Sequence, residues 1–598
     1  MFLRAKTRAK DGKTHRYWSV VENRRLRGGR VVQRQVLYLG ELNDAQRAGW
    51  VRTIEVLEGD RCPPRQLALF ADDSKSVPEL SCEAVRVRLD AIELRRPRQW
   101  GACWLALHLW NLLDLDRFWA PRLPPSRKAT RWLHVLKALV CYRLIDPGSE
   151  WRFHREWFVR SAMGDLLGED FALAQKDKPY RCLDRLLAHR DALFDFLKER
   201  WGQLFGVRYD VLLYDLTSTY FESDPPPPGS SSKKRFGYSR DHRPDCVQVV
   251  LALVVTPEGF PLAYEIYPGN TRDTATLEEF LARIEARYGK AGRVWLMDRG
   301  VPTEETLAKM RAREIDYLVG TPKGRLTQLE KGLLEKPWIE ARESVRVKTI
   351  DHDGEFYVYV ESRDRVAKER SMRRRRLKRL WATLGDLRAR KRLGRDDLLM
   401  ALGAAKKEAG RAYSLVTIRV PEPGEAVSED TFRFALDRDK LRRTRRREGR
   451  YLLRSTMRAS SPEAVWERYL LLVRIEQAFK DIKGDLAVRP VWHQKDARIE
   501  AHVFVCFLAY CLHTTLRNLA RGRAGGLTSG AILEKMAALQ MIDVHLPTTD
   551  GRHIILSRHT QPEKDVALLL ARLGLSLPEQ PAPRLLTPRK EKPVVPTF

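Results

Sequence analysis

Hydrophobic residues recur with different periods along the chain, and these periods divide it into regions. Residues 1–60 show short alternating runs with turn residues between them, which predicts strands and a hairpin through the Gly28-Gly29 pair. Apolar spacing near 3.6 predicts helices in residues 97–205, and mixed composition indicates a linker or small subdomain in residues 61–96. Five tryptophans of the helical region favour a packed core over a ligand site: Trp100, Trp104, Trp110, Trp119 and Trp132.

The period changes after Val207. Residues 209–215 form a short, nearly continuous apolar run, and residues 246–255 and 260–267 predict a hairpin. The proline run of residues 225–232 must be an exposed loop. The following segments predict a helix, a strand, a helix and a strand, at residues 276–288, 293–297, 304–313 and 317–320. Three strands, helix, strand, helix and strand is the order of a ribonuclease H-like mixed sheet, so the predicted fold class is α/β.

An interruption follows this core. Residues 323–455 hold β-like segments at 344–349, 355–361, 412–419 and 451–455, around basic stretches at 373–395 and 440–450, which predicts a basic, β-rich insertion. A solvated, partly helical basic arm is the alternative for residues 373–395. Helices are predicted at residues 462–482 and 499–519, the second deeply buried. The hydrophobic pattern predicts no elements for residues 526–598, which are expected to form a C-terminal tail region. The predicted regions are 1–60, 61–205, 206–322, 323–455, 456–525 and 526–598.

Composition adds a strong positive charge. Lys and Arg number 109 against 78 Asp and Glu, a formal net charge of +31, while hydrophobic residues make up 43%. A folded protein with this surface favours an acidic polymer as partner, with nucleic acid ahead of a membrane. The eight cysteines form no C-x2-C pair, and the apolar run of residues 503–512 is shorter than a membrane span. These features predict a cytoplasmic protein with reduced core cysteines, no zinc ribbon and no membrane partner.

Two aspartates follow apolar runs in the predicted core. Asp215 comes after residues 209–214, and Asp298 comes after residues 294–297 and before a turn. If their strands are neighbours, the two carboxylates converge on one edge of the sheet, and their repulsion is relieved by divalent cations. The alternative for either residue alone is an ordinary strand end, turn or cap.

A third carboxylate lies in the predicted helix after the insertion. Tyr469, Glu476 and Lys483 are seven residues apart, so they share one face of a continuous α-helix. Such a face suits a metal site at the glutamate and DNA backbone contacts at the tyrosine and lysine. Taken alone, the same pattern also fits a solvated amphipathic face.

Several motifs occur together in a fixed order. They are Tyr214-Asp215-Leu216-Thr217-Ser218-Thr219, Phe236-Gly237-Tyr238-Ser239-Arg240-Asp241, Tyr267-Pro268-Gly269-Asn270, Met297-Asp298-Arg299-Gly300 and the Glu476 helix. Residues 206–515 thereby resemble the DDE transposases of bacterial insertion sequences, in particular the group with a β-rich insertion and a Y-x2-R-x3-E-x6-K signature. The N-terminal hairpin resembles them moderately and the C-terminal region little.

The resemblance implies a function and a site. Asp215, Asp298 and Glu476 are expected to hold two Mg2+ ions, with Mn2+ as a substitute, for DNA strand cleavage and strand transfer. Double-stranded DNA, as terminal inverted repeats and target, is the expected partner of a homodimer formed on DNA in the bacterial nucleoid. The group releases its element through hairpin ends, with an aromatic holding a flipped base. Expected DNA contacts are Tyr469, Lys483, Lys480, Arg468 and Arg299, and aromatic candidates are Tyr357, Tyr359 and Tyr413.

One departure and three alternatives remain. The signature expects arginine where this chain has Leu472; Arg474 is predicted to point away from the glutamate, which leaves Arg468 as the substitute phosphate clamp. A domesticated or inactive DNA-binding relative is favoured mildly by that departure and disfavoured by the intact triad. A ribonuclease H-like nuclease that never joins strands is the second alternative. A glycosidase is disfavoured because its groove gains nothing from the charge.

Overall fold

The chain folds into two compact units in the computed structural model. The first unit comprises Met1–Lys6, Tyr17–Phe280 and Val473–Phe598, and the second comprises Thr7–Arg16 and Leu281–Leu472. The structure describes all residues except 11–12, 26–30, 60–85, 128, 176, 290–292, 299, 322–328, 330–331, 333–335, 343, 391–392, 458–460 and 587–598.

Eighteen strands are found in the described residues. They are β1 Phe2–Lys10, β2 Lys13–Arg25, β3 Val31–Gly40, β4 Glu93–Gln99, β5 Val211–Phe221, β6 Val247–Val255, β7 Pro261–Pro268, β8 Val294–Met297, β9 Asp316–Gly320, β10 Ile339–Arg342, β11 Val345–His352, β12 Glu355–Ser362, β13 Val416–Arg419, β14 Arg433–Leu436, β15 Arg450–Ser455, β16 Gln540–Pro547, β17 His553–His559 and β18 Arg584–Leu586.

Helices dominate the regions between these strands. The α-helices of the first unit include Asp44–Gly59, Gly101–Leu112, Leu115–Trp119, Trp132–Ile145, Met163–Leu167, Lys178–Leu183, Arg190–Phe205, Asp496–Arg523, Ser529–Met536 and Lys564–Leu573. Those of the second include Glu304–Ala312, Arg363–Ala389, Arg395–Ala409, Arg438–Arg447 and Pro462–Leu470. Two further helices, Asp273–Tyr288 and Leu472–Lys480, cross a boundary of the units.

The N-terminal region is a three-stranded sheet followed by a helix. β2 and β3 pair antiparallel, with Arg25 opposite Val31, as the predicted hairpin requires, while its Gly28-Gly29 turn lies outside the described residues. Residues 44–59 were expected to contain only strands and turns. They form the helix Asp44–Gly59, whose Trp50 and Ile54 are buried four residues apart on one helical face.

A long apolar helix lies at the centre of the first unit. Asp496–Arg523 is buried along most of its length and packs against Trp132–Ile145, which confirms the predicted buried helix. Its apolar window is long enough to cross a membrane, but 94% of that window is buried inside the protein, as in a core helix. Four of the five tryptophans named above are buried, and Trp104 is half-buried against Trp100. Six cysteines are free and buried, whereas Cys62 and Cys82 lie outside the described residues.

A buried polar cluster connects this helix to its neighbours. Glu150 Oε1 lies 3.2 Å from His502 Nδ1 and 3.3 Å from His493 Nε2, and the Arg143 guanidinium is 4.0 Å away. Burial, and then the charge of Arg143, lower the pKa of His502 to about 4 despite the adjacent carboxylate. Burial would raise the pKa of Glu150, but hydrogen bonds from both histidines hold it well below its usual value. The cluster is therefore built for a neutral His502 and an ionised Glu150.

We expect this cluster to make stability depend on pH. The pKa of His502 is about 4 in the folded chain and ordinarily about 6.5, so the unfolded chain binds the proton first as pH falls. The free energy of unfolding should fall by roughly 3 kcal/mol at most between pH 6.5 and 4. Urea unfolding across this range should show a shallower slope for His502→Gln than for the wild type. An exposed control, His553→Gln, should keep the wild-type slope; equal slopes for all three proteins would contradict the assignment.

The first unit also holds three antiparallel strands of the predicted core. β5 pairs with β6 along its length, and β6 pairs with β7 through a turn at Gly259. This confirms the predicted hairpin around residues 257–259. Every residue of β6 is buried, so the strand is covered on both faces.

The second unit contains a large mixed sheet. Its strand order is β10, β11, β12, β15, β9 and β8, with β8 and β9 parallel and the other neighbours antiparallel. The strands of the insertion therefore extend the sheet from β9, because β15 returns to pair with it. Glu355, Tyr317, Tyr357 and Arg454 meet in its interior, where Glu355 is 1% exposed.

The insertion is less β-rich than predicted. Its strands near residues 345–362 and 450–455 are confirmed, but both basic stretches are helical: Arg363–Ala389 and Arg438–Arg447. Straight-chain arginines, lysines and glutamates are good helix formers, and Leu380, Leu384 and Leu387 provide a buried stripe. The β-like segment at residues 412–419 is only half confirmed, because residues 412–415 belong to the 3-10 helix Gly410–Leu415 and β13 begins at Val416.

Residues 526–586 are folded rather than a tail. β16 pairs with β4 and β17, and β18 completes a four-stranded sheet in the first unit. Arg98 and Asp543 form a buried pair with a 2.9 Å contact between β4 and β16. The strand pairing connects segments more than 400 residues apart, which no local pattern shows.

Candidate active site

Asp215 lies within a strand rather than at its end. β5 continues to Phe221, and Asp215 is half-buried between buried neighbours, opposite Leu253 of β6. Its Oδ1 accepts a hydrogen bond from the Leu216 N–H at 2.8 Å. The strand extends because residues 216–221 keep pairing with β6 and include Thr and aromatic residues, which favour strands. A carboxylate among apolar strand residues is a strong candidate for chemistry.

The motif of residues 236–241 folds back onto β5. Arg240 N–H donates to the buried Ser218 hydroxyl at 3.2 Å, and its guanidinium pairs with Asp273. Asp241, 7% exposed, accepts a hydrogen bond from Lys483 Nζ at 2.7 Å and pairs with Arg489. Residues far apart in sequence thus hold this loop along the strand that carries Asp215.

Two motif glycines allow the same segments to approach closely. A Cβ on Gly237 would collide with the carbonyl of Gly269, and a Cβ on Gly269 would collide with the carbonyl of Gln248. The Gln248 amide donates to the carbonyl oxygens of both Tyr238 and Gly269 at 3.0 Å. The close packing at these two positions therefore requires glycine, which has no Cβ. The loop also leaves Phe236 and Tyr238 exposed.

Glu476 is exposed on the helix Leu472–Lys480. Leu472, Ile475 and Phe479 occupy the buried face, which explains why an apolar residue stands at 472. The predicted continuous helix over residues 462–482 is wrong. One helix ends at Leu470 and a new one begins at Leu472, and residues 481–485 form a π-helical segment.

This interruption changes the argument from seven-residue spacing. Tyr469 lies on the preceding helix, where its ring packs 5.7 Å from that of Tyr451, and Lys483 lies in the π-helical segment. The two therefore do not share one α-helical face with Glu476. Tyr469 belongs to the second unit, whereas Glu476 and Lys483 belong to the first.

Asp298 follows β8 directly, as predicted. Its side chain is exposed, and its carbonyl accepts a hydrogen bond from the Val301 N–H at 3.1 Å in the turn that follows. Asp298 belongs to the second unit, and Arg299 lies outside the described residues. Asp215 and Glu476 belong to the first unit, so the convergence of all three carboxylates stays a prediction.

The other expected DNA contacts differ in their surroundings. Lys480 is exposed, while Lys483 is largely buried in its pair with Asp241. Burial lowers the pKa of Lys483, although Asp241 opposes this effect. Arg468 is half-buried, with Nη1 2.7 Å from the Met457 sulfur. A phosphate contact by Lys483 would compete with the anchoring of the loop.

The candidate base-stacking aromatics also differ in exposure. Tyr357 is fully buried and donates to Glu355 at 2.9 Å, so it is not available to stack on a base. Tyr359 is half-buried beside Trp338, and Tyr413 is half-buried against the helical core of the insertion.

Asp215, Asp298 and Glu476, the expected metal ligands, carry hard carboxylate oxygens, which are the ligands that Mg2+ prefers. The half-buried Asp215 and the exposed Asp298 and Glu476 fit that donor chemistry, since each can turn oxygens towards an ion. Within the described chain, two other groups could hold a metal ion: Glu150, His493 and His502, and Asp481, Asp485 and His513. Neither group contains a member of the triad.

Comparison with known families identifies the chain. Residues 208–512, just over half of the chain, match the transposase DDE domain. The chain belongs to the DDE transposase family. Residues 3–59 of this transposase match the N-terminal domain of the IS1634 family of transposases, which covers all but the first residue of the N-terminal sheet and the whole helix after it. Both matches confirm the resemblance to transposases of insertion sequences.

Comparisons beyond the family models are weaker. No curated protein matches the transposase in sequence. Among solved structures, the cryo-EM structure of the piggyBac transposase synaptic complex with hairpin DNA is similar at 8% identity, over 72% of this chain and 79% of that one, with a TM-score of 0.34.

Proposed function

We propose that this transposase cuts and joins DNA at the terminal inverted repeats of an insertion sequence. The observation that supports this most directly is the half-buried Asp215 within β5, in a segment that matches the DDE domain. The reaction is cut-and-paste transposition with hairpin ends, performed by a homodimer on DNA in the bacterial cytoplasm. Its catalytic core is ribonuclease H-like.

Asp215, Asp298 and Glu476 are the proposed metal ligands. When bound there, two Mg2+ ions would lower the pKa of an attacking water and stabilise charge on the transferring phosphate. Asp215 is held in register by the pairing of β5 with β6. Glu476 is presented on a helix whose opposite face is buried, so its orientation follows from packing. The same residues serve cleavage by water and joining by a 3′-OH.

The loop of residues 236–241 has a positioning role in this proposal. Its pairs between Arg240 and Asp273, and between Asp241 and Lys483, fix the loop beside the strand of Asp215. DNA lying over Asp215 would meet the exposed Tyr238 of the same loop. Basic side chains elsewhere supply contacts to the DNA backbone, which are sequence-independent.

The proposal predicts metal-dependent cleavage of element ends. Duplexes carrying the inverted repeats that flank the gene should be nicked with Mg2+, and EDTA should abolish cleavage while leaving most DNA binding intact. Added KCl should weaken binding steeply, because the protein displaces counterions from DNA. Gel analysis should reveal hairpin ends. Cleavage that proceeds equally in EDTA would contradict the proposed metal-dependent reaction.

A further inference from the structure

The second unit contains an arginine-lined cavity. Its lining residues lie in other segments of the sequence than Asp215, Asp298 and Glu476. It has a volume of about 340 Å3, roughly that of ten waters, which is ample for a phosphate group. It lies where the helix Arg363–Ala389 begins and the helix Arg438–Arg447 ends. Five arginines and two glutamates line it: Arg346, Arg363, Arg370, Arg445, Arg450, Glu361 and Glu448. The lining therefore carries a net charge of +3.

The glutamates hold some of these arginines in place. Glu361 is 10% exposed and pairs with Arg346 and Arg450. Burial would raise the pKa of Glu361, but hydrogen bonds from those two arginines lower it, so it stays ionised. Arg346 Nε is buried with no hydrogen-bond partner within the described chain, so this guanidinium retains an unused donor.

The second glutamate fixes the basic helices to one another. Glu448 is 5% exposed, and it accepts hydrogen bonds from Arg373 Nε at 2.6 Å and Arg370 Nε at 3.2 Å. The next residue, Gly449, donates to Glu369 at 2.9 Å, and its positive φ allows the turn into β15. A Cβ at Gly449 would collide with Val366, so the cavity wall depends on this glycine.

Two arginines of the cavity are available for an anion. Arg363 and Arg445 are exposed, and neither makes an ion pair with the described acids. Arg363 is the first residue of a 27-residue helix capped by the Ser362 hydroxyl, which accepts from the Arg365 N–H. The partial positive charge of this helix N-terminus adds to that of the guanidinium groups.

We propose that this cavity binds one phosphodiester group of DNA, with Arg363 and Arg445 as the contacting residues. This proposal rests on the proposed function, because it takes DNA as the ligand. Arginine suits the role since its fork of donors matches two phosphate oxygens. The buried glutamates hold Arg346, Arg370 and Arg450 in the cavity wall by ion pairs. The site is therefore preorganised, unlike a mobile basic surface.

The test is DNA binding by the full chain carrying both Arg363→Gln and Arg445→Gln. Anisotropy titrations of a labelled duplex over a range of KCl concentrations should show roughly tenfold weaker binding for each lost charged hydrogen bond. The slope of log affinity against log salt should decrease in magnitude by about 2. A matched double variant, Arg419→Gln with Arg433→Gln, removes the same charge from β13 and β14 and should change both quantities much less.

Competition by pyrophosphate tests whether free phosphates also bind in the cavity. It should displace duplex from the wild type more effectively than from the cavity variant. If the cavity variant binds DNA like the matched control, the proposal is overturned, whether or not pyrophosphate binds. A wild type that neither binds nor cuts DNA would instead overturn the proposed function. Equal melting temperatures of the three proteins would establish that the substitutions leave the fold intact.

Discussion

Replacing Asp215 by asparagine is expected to reduce end cleavage by on the order of 10³-fold or more. The side chain keeps its size and its place in β5 but loses the negative charge that a divalent cation requires. Without the metal-bound charge, the transition state loses several kcal/mol of stabilisation, so the activation barrier rises. DNA binding should be kept or improved, because phosphate contacts come from basic residues and a negative charge has been removed. Cleavage and binding are measured on the same duplex with Mg2+ present.

Asp210→Asn is the matched control for this experiment. Asp210 is exposed just before β5 and lies in the same segment, so the substitution changes net charge equally. It should leave cleavage within a factor of about three. Asp298→Asn and Glu476→Gln should behave like Asp215→Asn if the three carboxylates act as one site, and Glu467→Gln on the preceding helix should not. Full cleavage by Asp215→Asn would remove this residue from the catalytic set.

The local secondary structure around the candidate site is partly predictable from sequence. Apolar runs before Asp215 and Asp298 predict strands that lead to both carboxylates, and the structure has strands there, although their joint role as metal ligands stays a prediction. The extent of β5 was not predictable, because pairing with β6 carries it past Asp215 to Phe221. The break at Leu471 has no glycine or proline to mark it, so the periodicity predicts one continuous helix where the chain forms two. The role of Asp241 depends on Lys483, 242 residues away.

In the fold as well, local features are predictable and long-range contacts are not. The period of the hydrophobic residues predicts the helix Asp496–Arg523 and the strands of the core. Burial of one or both faces of an element requires apolar residues at regular spacing, which is visible in the local sequence. The four-stranded sheet of β4 with β16, β17 and β18 escaped prediction, because strand partners far apart in sequence leave no local signal. Charge alone leaves a partly helical arm open for residues 373–395, whereas the helix propensity of Arg, Lys and Glu favours the helices that form in both basic stretches.

The interior of the second unit should depend strongly on Glu355. Its Oε1 accepts from Arg311 at 2.8 Å and from the Tyr317 hydroxyl, and its Oε2 accepts from Arg454 and from Tyr357 at 2.9 Å. Burial, and then the hydrogen bond to Glu355, raise the pKa of Tyr317, so that hydroxyl stays protonated as a donor. The carboxylate thus balances two guanidinium groups, one of which, on Arg454, is 4% exposed.

Glu355→Gln is expected to lower the free energy of unfolding of the second unit by about 3 kcal/mol, because it removes the buried carboxylate that balances Arg454 and leaves this guanidinium only the exposed Glu304 as an acidic partner. Denaturant unfolding gives the overall loss, and hydrogen exchange of the amides in β9, β12 and β15 locates it. Glu340→Gln, on the exposed strand β10, should cost less than about 0.5 kcal/mol. Since β15 leads from the insertion towards the helix of Glu476, the variant should also lose cleavage at temperatures that open this sheet. A variant as stable as the Glu340→Gln control would contradict this role of Glu355.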